Sequence, residues 1–206
     1  MSNIFLRLIK AIRTKFFKIQ GRNNQLDGIN RGGISIVRGD NNTIKCETKP
    51  LGSKIWIYGS NNTIEISEDV VFKSGKIWIE DSNNKIKIGK GTTIEEAELA
   101  VAEHGTSIVI GCDCMLSSGI RISTTDSHSI IDNETKSRIN PAKDVVIDDH
   151  VWIGHNVSIC KGVHIGHDVI IGTNSVVTHD IPPSVVVAGV PARVVRANVT
   201  WDRKRI

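Results

Sequence analysis

Aromatic side chains make up only 4% of the 206 residues. Any core must therefore be aliphatic, which suits a thin interior. The four cysteines, Cys46, Cys112, Cys114 and Cys160, include no C-x-x-C pair and no regular framework. That argues against a secreted disulfide scaffold and fits a reducing cytoplasm. A run of about twenty apolar residues is missing, which leaves no transmembrane helix to assign. So are a signal-peptide core and a small-residue cleavage site. No P-loop or dinucleotide glycine motif precedes a helix, so nucleotide hydrolysis and hydride transfer have no support. Acidic residues are absent from the first twenty positions, where Arg7, Lys10, Arg13, Lys15 and Lys18 stand. The overall net charge of +4 is thus an end effect, not a stripe for nucleic acid.

What is present is a repeat. From Val145 to Thr178, Ile147, Ile153, Ile159, Ile165, Ile171 and Val177 recur every sixth residue. Two positions before each stands Val145, Val151, Val157, Val163, Val169 or Ser175. A six-residue period fits a helix of about 3.6 residues per turn poorly. Spacing of i and i−2 is strand spacing, so each hexad reads as a very short strand with two inward side chains and a corner. Gly154, Gly166 and Gly172 follow the inward aliphatic, where a tight corner favours a residue tolerant of positive φ. The pattern is a hexapeptide parallel β-helix, an all-β solenoid around an aliphatic stack.

Read in order, the chain divides at 1–20, 21–178 and 179–206. In the first segment Phe5, Leu8, Ile9, Ile12, Phe16 and Ile19 follow helical spacing opposite the basic residues. This predicts an amphipathic helix that caps the solenoid or makes peripheral contact with an anionic membrane. A looser repeat follows, GRNNQL, GDNNTI, GSNNTI and DSNNKI, with Asn23, Asn41, Asn61 and Asn83 at equivalent corners. Asn tolerates left-handed backbone, and stacked Asn residues can hydrogen-bond along the axis. Trp56 and Trp78 stand between alternating isoleucines and are expected to point outward, toward an oligomer contact or a sugar. Cys114 is expected inward. The hexad phase breaks over 123–144, a polar stretch that ends soon after Pro141. An irregular loop of this length inside a regular solenoid is more often functional than accidental. Past Thr178, Pro182 and Pro183 are expected to end the coil, and Pro191 to open a short helix. Residues 201–206 read as a loosely held basic tail.

The hexads, VWIG at Val151–Gly154 and GVPARVVR at Gly189–Arg196 resemble the hexapeptide-repeat acyltransferases, above all bacterial sugar and capsular polysaccharide O-acetyltransferases. The resemblance implies a left-handed β-helix and a homotrimer with active sites between subunits. Acetyl-CoA would be the co-substrate, with no metal, and a carbohydrate hydroxyl the acceptor. It makes His128, alone among histidines on the loop, the general base, since an imidazole can take a proton from a hydroxyl near neutral pH. Asp126 is the nearby carboxylate that would orient it. Trp152 matches a Trp beside the reacting groups in relatives that include polysialic acid O-acetyltransferases. Carried over by alignment, the cofactor groove falls at Gly154, His155, Gly172, Thr173, Thr178, His179 and Arg196, with Arg193 compensating where relatives have Lys in place of His179. Glu103 and His104 are weaker acceptor contacts. Leu99 stands where galactoside acetyltransferases have an acceptor-binding Asn, which puts a galactoside-like binding mode in doubt. An oxyanion donor is expected among the backbone amides near 152–155. Two other readings stay open: N-acetylation of an amino sugar or sugar nucleotide, and a noncatalytic trimeric scaffold held at a membrane by its basic helices. The implied location is the cytoplasm, at the inner face of the bacterial membrane.

Overall fold

A computed structural model describes residues 17–28, 35–48 and 52–206. Among them are twenty strands and no helix, wound into a β-solenoid of about 7 turns. Three faces make up each turn. On the first lie Met115–Leu116, Trp152–Ile153, Ile170–Ile171 and Val185–Gly189. On the second lie Ile120–Ser123, Ser158–Ile159 and Val176–Val177. The third is a seven-stranded parallel sheet from Gln25–Asp27 to His164–Ile165. Two long strands, Val71–Glu80 and Thr93–Val101, run through a corner and serve the first and second faces in turn.

Alternation carries through. From Val145 to Val177 both inward side chains of every hexad are at most 2% exposed. Cys114 is fully buried as expected, and burial pushes its thiol up to about 11. Each fully buried Val or Ile contributes roughly 1.5–3 kcal/mol. The aliphatic column is therefore the main source of stability.

The corner glycines work differently from the sequence expectation. Gly154, Gly166 and Gly172 do not adopt positive φ; the left-handed residues come two positions later, at Asn156, Asp168 and Asn174. Glycine is needed because the coils approach so closely. A Cβ on Gly154 would lie 2.8 Å from the Ile171 carbonyl oxygen, and one on Gly166 2.7 Å from the Pro183 nitrogen.

In the N-terminal coils the corners carry two ladders. The outer one is as read: Asn23, Asn41, Asn61 and Asn83 sit at φ 55, 57, 59 and 61°. Asn23 donates to Asn41, and Asn41 to Asn61, at 3.2 Å each. The second Asn of each pair builds an inner ladder that was not anticipated. The backbone N–H groups of Asn42, Asn62, Asn84 and Thr106 donate to Oδ1 of Asn24, Asn42, Asn62 and Asn84 at 2.9, 3.0, 2.9 and 2.8 Å. Buried amides must be paired, and these are.

Three boundaries move. Phe17–Gln20 is a strand parallel to Ser35–Arg38, not the end of a helix, because ladder pairing outweighs local helical spacing. The rest of the expected helix, residues 1–16, and with it the proposed membrane contact, lies outside the described residues. The coil also continues past Thr178, since Ile181, Val185 and Val187 resume the buried phase at 7, 5 and 0% exposure. After the cis Val190–Pro191 bond, Ala192–Ala197 returns as an antiparallel strand rather than a helix. No helix among the described residues is long and apolar enough to cross a membrane.

Candidate active site

The loop over 123–144 leaves the second face after Ser123 and rejoins the third at Val145. Charge pins it to the solenoid. Arg138 forks onto Glu103 with Nη1–Oε2 at 2.8 Å and Nη2–Oε1 at 2.5 Å. Thr125 Oγ1 and the Ala142 N–H also donate to Glu103, at 2.9 and 3.3 Å. These donors, Arg138 first, hold the Glu103 carboxyl down at about 2. Glu103 therefore anchors the loop and has no oxygen left over for an acceptor. His104, the other weak acceptor contact, lies within 2.9 Å of the Asn83 side chain at the end of the outer ladder.

Asp126 is likewise committed. Its carboxylate accepts from Lys161 Nζ at 2.5 Å and from Asn140 Nδ2 at 2.9 Å. Lys161, and then Asn140, keep it below the usual carboxylate range. It does not orient the His128 ring; the contact between the two residues is a backbone bond, His128 N–H to Asp126 carbonyl, at 2.8 Å. Of the seven histidines, His104, His150, His155, His164, His167 and His179 have a ring nitrogen within hydrogen-bond distance of a side chain. The His128 ring is exposed, and among the described residues no side chain hydrogen-bonds it.

Trp152 points outward as strand alternation required, at 40% exposure. It opens onto a cleft of about 470 Å³ on the first face, with Lys73, Thr93, Glu95, Met115, Ser117 and Arg203 around it. That cleft includes none of the loop residues. The tail borders it, contrary to the expectation of a loose end. Trp201 is 8% exposed, stacks on His150 at 4.3 Å and 7°, and donates to the His150 carbonyl at 2.8 Å. Its ring lies 6.1 Å from that of Trp152. Arg203 donates to Asp113, Thr93 and the Cys114 carbonyl at 2.9, 3.0 and 2.9 Å. An indole with its N–H satisfied and a guanidinium with several acceptors resist release.

The expected cofactor positions fall into separate groups. Gly154 and His155 stack on Gly172 and Thr173 along the corner between first and second faces, in the register Ile153 to Ile171. His155 Nδ1 lies 2.9 Å from Ser118 Oγ. Thr178 and His179 sit at the far edge of the second face and bond each other at 2.8 Å. Arg193 and Arg196 lie exposed on the returning strand, opposite Ala188 and Val186. The bare glycine corner fits a thin, extended ligand better than a bulky one. Leu99 is fully buried and cannot meet an acceptor. Among the amides expected to hold an oxyanion, those of Trp152 and Gly154 donate to Val169 and Ile171 carbonyls at 2.8 Å each, so they serve the solenoid.

Sequence reasoning missed Lys161, Asn140, Trp201 and Arg203. Lys161, Trp201 and Arg203 act through partners on other coils, and Asn140 through partners inside its own irregular loop. Among the described residues no three His, Cys, Asp or Glu side chains gather as a metal site. Trp56 and Trp78 point outward as expected, between buried isoleucines, and form an edge-to-face pair at 5.5 Å on the second face that leaves both half-buried.

Comparison with known proteins agrees with this architecture. Residues 144–179 match the family described as bacterial transferase hexapeptide (six repeats). A polysialic acid O-acetyltransferase of Neisseria meningitidis is 37% identical over 93% of this chain and 91% of its own length. A second, from Escherichia coli O1:K1 / APEC, is 38% identical over 47% of this chain and 32% of its own length, so there the chain spans about a third of its relative. The crystal structure of the polysialic acid O-acetyltransferase OatWY superposes with a TM-score of 0.80 and 36% identity, over 92% of each chain.

Proposed function

Since the chain belongs to the hexapeptide-repeat O-acetyltransferases, we propose that it moves an acetyl group from acetyl-CoA to a hydroxyl of an acidic capsular glycan, sialic acid polymers first. What carries this reading is likeness over nearly the whole chain to a protein of that activity. The winding is then left-handed, and the donor places the reaction in the cytoplasm.

His128 is the base. Its ring is exposed and uncommitted while the loop beneath it is tied down. The imidazole takes the proton as the acceptor oxygen attacks the thioester carbonyl carbon, forming a C–O bond. Collapse breaks the C–S bond, and the same proton passes to the departing thiolate. Trp152 lines the site with its indole face. It lies on the first face, whereas the loop with His128 leaves the second; in the homotrimer that the family implies, active sites lie between subunits. Acetyl-CoA runs along the Gly154, His155, Gly172 and Thr173 corner, and Thr178, His179, Arg193 and Arg196 meet its far end. Asp126 serves the loop rather than the ring.

Thiol release from acetyl-CoA with sialic acid oligomers, other capsular oligosaccharides and amino sugars tests the proposal. A sialic-acid-dependent signal that falls about 10²- to 10⁴-fold in His128→Ala is the expected result. Turnover with amino sugars alone would replace it with N-acetylation. No turnover with any acceptor would leave a noncatalytic scaffold.

A further inference from the structure

The loop that carries His128 is mostly polar and exposed, yet Asn140, near its far end, is only 7% exposed. We propose that Asn140 is the positioning residue of the base: its carboxamide, not the carboxylate of Asp126, sets where the His128 ring stands. The inference rests on His128 being the base.

Its four side-chain bonding positions are all filled. Nδ2 donates to the His128 carbonyl at 2.8 Å and to Asp126 Oδ2 at 2.9 Å. Oδ1 accepts the Ile130 N–H at 2.6 Å and Arg138 Nε at 3.2 Å. The amide thus grips the main chain on both sides of Ser129, at one carbonyl and one N–H. Fixing those two groups fixes the backbone through 128–130 and hence the direction of the His128 Cα–Cβ bond. The grip is itself grounded in the solenoid. Lys161, two residues past the inward Ile159, donates to Asp126 and, at 2.8 Å, to the Asn140 carbonyl. Only a carboxamide satisfies this arrangement. Aspartate is nearly isosteric, but it brings no N–H donor and sets a second carboxylate beside Asp126.

The test is a double-mutant cycle on kcat, using acetyl-CoA and a sialic acid oligomer, with His128→Ala, Asn140→Asp and the double variant beside wild type. Asn140→Asp alone should lower kcat roughly 10- to 100-fold, the scale of an ångström-size misplacement, with KM for acetyl-CoA within about twofold. In the His128→Ala background it should cost nothing further, because a residue acting only through the base has nothing left to position. A merely structural role predicts the opposite, a further fall of similar size in the double variant, and that result overturns the proposal. So does an unaffected kcat in Asn140→Asp beside a fallen one in His128→Ala. An unchanged rate in His128→Ala itself sinks the base assignment, and positioning with it. Should Asn140→Asp not fold, Asn140→Ser carries the same cycle, since it keeps one donor and one acceptor at shorter reach.

Discussion

The N-terminal and C-terminal coils bury the same kind of aliphatic interior with different corners. Up to Thr106 the corners are held by paired asparagines, neutral amides that bond coil to coil. From Val145 to Val177 the strands shrink to two or three residues, and beside an Asn pair, Asn156 and Asn174, the corners carry Asp and His in polar contact, as between His150 and Asp168 at 2.7 Å. The loop ties to Glu103 on one side of it and to Lys161 on the other, and the tail reaches from Gly91 to Asp168. A solenoid interior therefore tolerates either corner, while five of the seven histidines stand beyond Val145.

Substitutions in the two columns would break the comparison most forcefully. Ile64→Ala and Ile165→Ala, both at fully buried positions, should each cost about 2–5 kcal/mol in denaturant unfolding. A marked difference between them would mean that the halves do not share one kind of core. Next in size is Asn62→Ala, which leaves the Asn84 N–H and the Asp81 carbonyl without their partner. About 1–3 kcal/mol is expected for each orphaned group, with kcat per folded molecule unchanged. Loss of turnover in that variant would give the amide ladder a share in the chemistry.

Acid should separate the amide corners from the contacts that carboxylates make. Glu103 and Asp168 lie at about 2 in the folded chain, against 4.5 and 3.8 ordinarily; Arg138 is the main cause for Glu103, and His150 and His167 for Asp168. A lowered folded value stabilises fully above the unfolded one and loses its contribution as pH falls toward about 2. Hydrogen exchange through that window should expose the amides of Ile130 and Ala142 before those of Asn42 and Asn62. Simultaneous exposure would show that these carboxylates do not hold the loop. The smallest effect belongs to surface pairs such as Lys85 and Glu65, 2.9 Å apart; Lys85→Ala should cost less than about 1 kcal/mol in a thermal melt.

How far the sequence could be read follows the same division. Hexads were visible because each inward residue, from Val145 to Val177, announces its own place. The outward Trp152 and the exposed His128 loop followed from where that phase held and where it broke. Family resemblance supplied the handedness and the cofactor positions, which no spacing contains. The inner ladder escaped because Asn42, Asn62 and Asn84 are polar yet fully buried, against every compositional cue. Lys161 reaches Asp126 across 35 residues, and Trp201 reaches His150 across 51, distances over which no periodicity speaks. Asp126 was assigned to His128 by nearness in sequence, but the lysine one coil away claims its charge.

A stack whose turns touch only their neighbours melts like a one-dimensional chain, each end fraying for itself. Arg203 departs from that rule. Its guanidinium holds the turn of Gly91 and Thr93 together with that of Asp113 and Cys114, across 89 to 112 residues, while Thr200 and Trp201 hold Asp168 and His150. The last turns cannot peel away without tearing this strap, so several turns must open as one cooperative block. At neutral pH fraying is left to the opposite end.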